Sequence, residues 1–249
     1  MPKDTIPIYK YLSLAEKGNV SKSKAFYGKE IQNYSRCFDL LDDVIEHVCE
    51  LSIRKKIVYD GKDIAFCTIC QRVVLTSKVY LDLAMKGYYY DAEIIVRSLY
   101  ENLYFMLSLM NKDKKTAEEI AEKWMNRKLD MKKIKESLGI FSNESMRQIN
   151  AELNDCAHSN FPAIARFITK KGVIENTFQL IGEPTFRPDY GLEAFDPFVA
   201  TSSIQLSLEN FKPLLETEFY SWAKNAVQRM EKRALKLKEK NNIVHRQNA

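Results

Sequence analysis

Glycine and proline are scarce in this chain, at 8 and 7 of 249 residues. Sandwiches and barrels turn often and use both heavily, so a loop-rich β architecture is excluded. Cysteine occurs five times, at Cys37, Cys49, Cys67, Cys70 and Cys156. An odd number, behind a Met1–Ser13 segment without the long apolar core of a secretory leader, argues against a disulfide framework. Long apolar runs are missing too. The most apolar stretch, Ile94–Met110, is interrupted by Arg97 and Glu101, whereas a membrane helix needs about 20 apolar residues with few charges. No membrane partner is therefore expected, and the expected location is the cytoplasm. Also absent are the glycine-rich phosphate loop, the dinucleotide-binding glycine pattern, the His-Glu-x-x-His zinc signature and the Gly-x-Ser-x-Gly nucleophile turn.

What is present is the mix of an ordinary globular protein, 45% hydrophobic and 29% charged. A chain of this length buries a sizeable core without staples. Its net charge of +5 is unevenly spread. Eight Lys or Arg against Glu231 and Glu239 give Lys224–Arg246 a local +6, which leaves the rest of the chain at −1. The pattern is a nearly neutral body with a basic C-terminal helix. Such a helix is a surface for nucleic-acid phosphates or for an acidic partner.

Apolar residues recur at helical spacing through most of the chain. Ile31, Tyr34, Phe38, Leu41, Ile45, Val48 and Leu51 mark one face of a helix from Glu30 to Tyr59. Asp60-Gly61 breaks it. A second helix spans 62–86 and stops at Gly87, which takes the left-handed conformation without steric cost. A third, over 90–110, is apolar nearly all round, as suits the centre of a bundle. A charge-laced segment over 116–138, broken near Arg127, ends at Gly139, and Ser142 caps a further helix through Ala157. Between 172 and 195 the periodicity fails, and a small irregular or hairpin insertion is expected. Asp196-Pro197 starts a last long helix, bent or broken at Pro213 and frayed beyond Lys240. The expected fold is all-α, a bundle of about six to eight helices. It has a loosely attached arm at 1–28, one domain at 29–241 and a frayed tail at 242–249. Long apolar helices also favour a homodimer.

Two segments carry candidate chemistry. Glu93, Arg97 and Glu101 stand at i, i+4 and i+8 on the apolar third helix, so Arg97 reaches a carboxylate on either side. Charges inside a bundle are costly unless paired. The line reads either as an ion-pair ladder that fixes helix register or as a polar pocket that offers Arg97 to an anion. The other segment is Asn154-Asp155-Cys156-Ala157-His158-Ser159-Asn160. His158 at a helix end is either held by the macrodipole or is an acid–base or phosphate-contacting group, with Asn154 one turn before it. The catalytic candidates are thus Arg97, Glu101 and His158, and the binding candidates Glu93, Asn154, Ser159 and Asn160. No metal or cofactor is expected. Cys67-Thr68-Ile69-Cys70 lies in a helix interior with no second pair, which reads as core packing. Tyr88-Tyr89-Tyr90 reads as core or as a base-stacking surface.

The turn at Gly87, the helix carrying Arg97-Ser98-Leu99-Tyr100-Glu101 and the helix end at His158-Ser159 together resemble a group of uncharacterised bacterial helical proteins. In that group an Arg-Ser-Leu-x-Glu helix precedes a Ser-x-x-x-His helix end. Those proteins in turn resemble the HEPN superfamily of helical nucleotide- and RNA-associated domains. The resemblance covers Asp82–Phe161 and falls on Gly87, Arg97, Ser98, Glu101, His158 and Ser159. It implies a helical fold and a nucleotide- or nucleic-acid-associated role, in stress or phage defence. Ribonuclease members of that superfamily share an Arg, four to six residues, then a His. Here the nearest arginine before His158 is Arg147, ten residues intervening, so that linear motif is missing. The favoured expectation is a non-catalytic binding protein. The alternative is a HEPN-like ribonuclease, or other phosphate-directed enzyme, using Arg97, Glu101 and His158.

Overall fold

Capping chemistry sets the helix boundaries. The computed structural model describes residues 8–157, 168–170, 176–178 and 197–247. Its fold is all-α: α1 (Ile8–Lys55), α2 (Gly61–Lys86), α3 (Tyr89–Met110), α4 (Lys114–Met125), α5 (Met131–Ser137), α6 (Glu144–Ala157), α7 (Phe198–Phe211) and α8 (Thr217–Gln247). Asp60, Asp113 and Asp130 cap α2, α4 and α5, each carboxylate accepting from backbone N–H groups of the first turn. Asn143, not Ser142, caps α6: its Oδ1 accepts from Met146 N–H at 3.1 Å. Ser142 lies one residue too early and is held in the preceding turn, its N–H donating to Gly139 O.

Two helices end on residues that are not glycine. Lys56 (φ 53°) and Arg127 (φ 57°) take the left-handed conformation where glycine is usual. Lys56 stops α1 short of the expected Tyr59. The next amide, Ile57 N–H, donates to Ser52 O at 2.9 Å. Pro213 falls between α7 and α8, where a break was expected. Helix α8 continues to Gln247, past Lys240, with neither glycine nor proline to stop it. Between α6 and α7, β1 (Ile168–Lys170) pairs antiparallel with β2 (Asn176–Phe178), Thr169 opposite Thr177. The hairpin thus begins at Ile168 rather than near 172. Residues 179–196 lie outside the described residues.

Helix α2 packs against α1, α3, α4 and α7 at once. Its buried side chains include Phe66, Ile69, Cys70 and Val73. They meet Leu41, Val44 and Val48 of α1, Phe105 and Leu109 of α3 and Ile204 and Phe211 of α7 in one core. Phe66 and Phe211 cross edge to face at 5.7 Å. Full burial of each such side chain stabilises by about 1.5–3 kcal/mol. Close approach of α7 is possible because Ser203 and Ser207 are small and turn their hydroxyls back to carbonyls of their own helix at 2.7 Å. By length and composition α2, rather than the Ile94–Met110 stretch, is the described helix that could cross a membrane.

The segment expected as a loose arm is helical from Ile8, kinks at Tyr27 (φ −119°, ψ 19°) and continues as α1. Two of its side chains complete the C-terminus of α2. A helix leaves its last four carbonyls without partners. Here Gly87 N–H donates to Ala84 O and Tyr88 N–H to Leu83 O. Ser23 Oγ donates to Met85 O at 3.1 Å and Asn19 Nδ2 to Lys86 O at 3.0 Å. Both side-chain donors are buried, with Ser23 at 1% and Asn19 at 7% exposure. Tyr88 OH also donates to Glu16 Oε1 at 2.8 Å. Ser23→Ala and Asn19→Ala are each expected to lower the unfolding free energy by about 1 kcal/mol, because a buried carbonyl loses its donor. Urea denaturation checks this. Unchanged midpoints for both would mean that water replaces the two donors.

Candidate functional site

On α3 the charged line is partly realised. Glu101 Oε1 accepts from Arg97 Nε at 3.1 Å and, from outside the helix, from Lys135 Nζ at 3.4 Å. Lys135 belongs to α5 and is only 7% exposed. Its ammonium also lies over the Tyr104 ring, 5.9 Å from the centroid, where the negative face of the ring attracts a cation. Burial, and then the Glu101 charge, push the Tyr104 phenol up to about 12. One carboxylate therefore holds two cations in a half-buried setting. Glu93, one turn before Arg97 and two before Glu101, is buried as well. Asn154 is half-buried on α6, which packs on α3. His158, Ser159 and Asn160 lie outside the described residues.

The next face of α3 lines a cavity of about 270 Å³ shared with α2 and α4. Ser98, Glu101, Asn102 and Phe105 form its α3 wall, and Ile69 and Arg72 come from α2. Trp124 at the end of α4, Arg127 and Leu129 after it and Met131 of α5 complete the lining. Phe105 and Trp124 stack, centroids 5.3 Å apart at 26°. Among the described residues neither Arg72 nor Arg127 makes an ion pair. Asn102 is 6% exposed, and its Nδ2 is closed to water without a hydrogen-bond partner. A buried donor left in that state costs about 1–3 kcal/mol.

Arg127 reaches the cavity from a strained turn. Its N–H donates to Trp124 O at 3.0 Å, and Lys128 N–H donates to Lys123 O at 2.7 Å. That is the left-handed helix ending that glycine usually makes, and an L side chain there costs roughly 1–2 kcal/mol. The turn thereby places a guanidinium three residues after the Trp124 ring.

The chain belongs to the DUF5677 family. That family is described as one of unknown function, and the match spans residues 63–243. No curated protein and no solved structure matches the chain. The DUF5677 segment holds the whole cavity and the Arg97–Glu101–Lys135 cluster. Helix α1 lies before it, although α1 supplies much of the core.

Sequence reasoning brought Arg97 and Glu101 forward but missed Lys135, Arg72, Asn102, Trp124 and Arg127 as site residues. For Lys135 a signal exists: Met131, Ile134, Lys135 and Leu138 share one helical face, so the lysine occupies an inward position. Asn102 likewise stands alone in the apolar run from Leu99 to Met106, apart from the flanking Glu101. Cys67 and Cys70 fit the packing reading. Burial pushes both thiols up to about 12, and Cys70 Sγ lies 3.1 Å from Ser207 Oγ. Among the described residues no group of His, Cys, Asp or Glu side chains is arranged to hold a metal ion.

Removing Glu101 leaves the Lys135 cation buried without its carboxylate. Glu101→Ala is therefore expected to destabilise by about 2 kcal/mol. Lys135→Met, which removes the charge and keeps an apolar stem of similar size, is expected to cost less than about 1 kcal/mol. Denaturant titration of both variants checks the order. The reverse order would mean that the Lys135 ammonium is solvated.

Proposed function

We propose that this protein is a non-catalytic helical binding protein of the nucleotide- and nucleic-acid-associated kind, taking a phosphate-bearing ligand at the cavity between α2, α3 and α4. One observation carries the reading: Arg72 and Arg127, without carboxylate partners among the described residues, share a cavity with the stacked Phe105 and Trp124 rings. Guanidinium groups suit phosphate oxygens, which they bind through paired N–H donors. Aromatic walls suit unstacked bases. Glu101, the acidic residue of the lining, is already neutralised by Arg97 and Lys135, so it repels a phosphate little. Lys224, Arg229, Lys232 and Lys236 are exposed on α8 and extend a basic surface for a longer strand. The resemblance to the HEPN superfamily points the same way, and the missing arginine–histidine spacing favours binding over cleavage.

A second reading is a ribonuclease or other phosphate-directed enzyme using Arg97, Glu101 and His158. It is favoured by the half-buried carboxylate held between two cations, a setting in which charge is stabilised without water.

The test is a fluorescence-anisotropy titration of short single-stranded RNA at several salt concentrations, on wild type, Arg72→Ala and Arg127→Gly. Glycine takes the conformation of residue 127 without strain, so that variant keeps the turn and loses only the guanidinium. Each variant is expected to bind more weakly, with the slope of log affinity against log salt shallower by about 0.7 for each phosphate contact removed. Equal affinities and slopes in all three proteins would sink the cavity reading. RNA cleavage by wild type that vanishes in a folded His158→Ala protein would replace it with the enzyme reading.

A further inference from the structure

We infer that the cavity is a site for one nucleotide unit, its phosphate at Arg72 and Arg127 and its base against Trp124 with an edge at Asn102. The inference rests on the reading above and narrows its ligand. Size is the first argument. At about 270 Å³ the cavity sits below the roughly 300–1,000 Å³ of pockets that take drug-sized ligands. It has no room for a run of stacked bases. A single base with its sugar is the largest part of a nucleic acid that a space of this size holds, which leaves the charged phosphate at the arginines on its open side.

The arrangement of donors is the second argument. Asn102 and Phe105 are three residues apart on α3 and so share a face. Trp124 and Arg127 are three apart across the end of α4. Phe105 backs the Trp124 ring, and the amide, that ring and the guanidinium line one small space. Of the residues lining the cavity, Asn102 is the one with a buried side-chain donor that has no partner among the described residues. An amide carries one donor and one acceptor side by side, and that pair matches the adjacent acceptor and donor on a base edge. Rotation of the amide about its terminal torsion, which is broad and two-fold, exchanges which end meets the ligand. Nδ2 is closed to water in the unliganded protein, so this rotation is what brings the donor to a ligand acceptor. Ile69, Leu129 and Met131 supply apolar wall around it.

A free nucleotide and the phosphorylated end of an RNA strand present this same chemistry. Calorimetric titrations with the four nucleoside 5′-monophosphates, and with one RNA oligomer bearing or lacking a 5′-phosphate, separate them. The proteins are wild type, Asn102→Leu and Arg127→Gly, each checked by thermal melting. Asn102→Leu has similar size and removes an unpaired buried donor, so its unliganded melting temperature is expected to be equal or higher. Its affinity is expected to fall by about tenfold or more, because the base edge loses its partner. Should Asn102→Leu fail to fold, Arg127→Gly reads the same site from the exposed turn. One-to-one binding of a monophosphate that both substitutions weaken supports the inference and assigns the free nucleotide. Binding of the 5′-phosphorylated oligomer alone, weakened in the same way, supports it and assigns the RNA end. RNA binding that ignores both the 5′-phosphate and the Asn102→Leu change overturns the inference and leaves the general reading intact. No binding of any of these overturns both.

Discussion

Helix α2 has to satisfy four neighbours at the same time, and the other placements follow from that constraint. Phe66, Ile69, Cys70 and Val73 are each fully or almost fully buried, so no turn of α2 between Ala65 and Val74 can rotate without opening the core. Interiors at crystal-like density do not absorb such a rotation. The register of α3 against α2 is therefore set by packing, and with it the direction in which Ser98, Glu101 and Asn102 point. The far end of α2 is closed by Asn19 and Ser23 from the first half of α1. That end leads directly through Gly87 into α3, so the N-terminal helix braces the start of the helix that carries the site.

Polar groups inside this bundle fall into two kinds. Lys135 is nearly enclosed, yet it has a carboxylate and an aromatic face to hold it. Asn102 is equally enclosed, and its Nδ2 has neither. The first kind is a finished interaction, and replacing its members by apolar residues is tolerated better than removing one partner. The second is an unfinished one. A folded chain that keeps an unpaired amide donor in a residue lining a cavity, with two guanidinium groups nearby that make no ion pairs among the described residues, is stabilised by a ligand that draws that donor out and supplies negative charge.

Much of this was legible in the residues themselves where the controlling physics is local. The apolar stripe of α1, the glycine end of α2, the all-round apolarity of α3 and the break at Arg127 each follow from periodicity and capping within one or two turns. The pair Arg97–Glu101 is of the same kind, being one helical turn apart. What stayed hidden depends on tertiary contact. Lys135 reaches Glu101 across 34 residues of sequence, and Arg72 looks like any solvated helix residue until α4 stands beside it. The N-terminal segment reads as loose because its pattern is mixed, with Pro2, Pro7, Gly18 and Gly28. Its helix is held from outside, by carbonyls of α2 that no local pattern announces. At α6 the error was smaller: Ser142 and Asn143 are both good caps, and the choice between them is one of geometry.

On the proposed reading, Asn102 turns its side-chain amide to a ligand bound in the cavity. The most direct measurement is a ¹⁵N–¹H correlation spectrum of the full chain, with the Asn102 side-chain amide assigned by substitution, during titration with a nucleoside 5′-monophosphate. The account predicts that the Asn102 amide signals move to hydrogen-bonded positions together with the Trp124 indole signal, saturating at one equivalent. Saturable shifts confined to the α8 lysine and arginine neighbours, with the Asn102 and Trp124 signals unmoved, would contradict it.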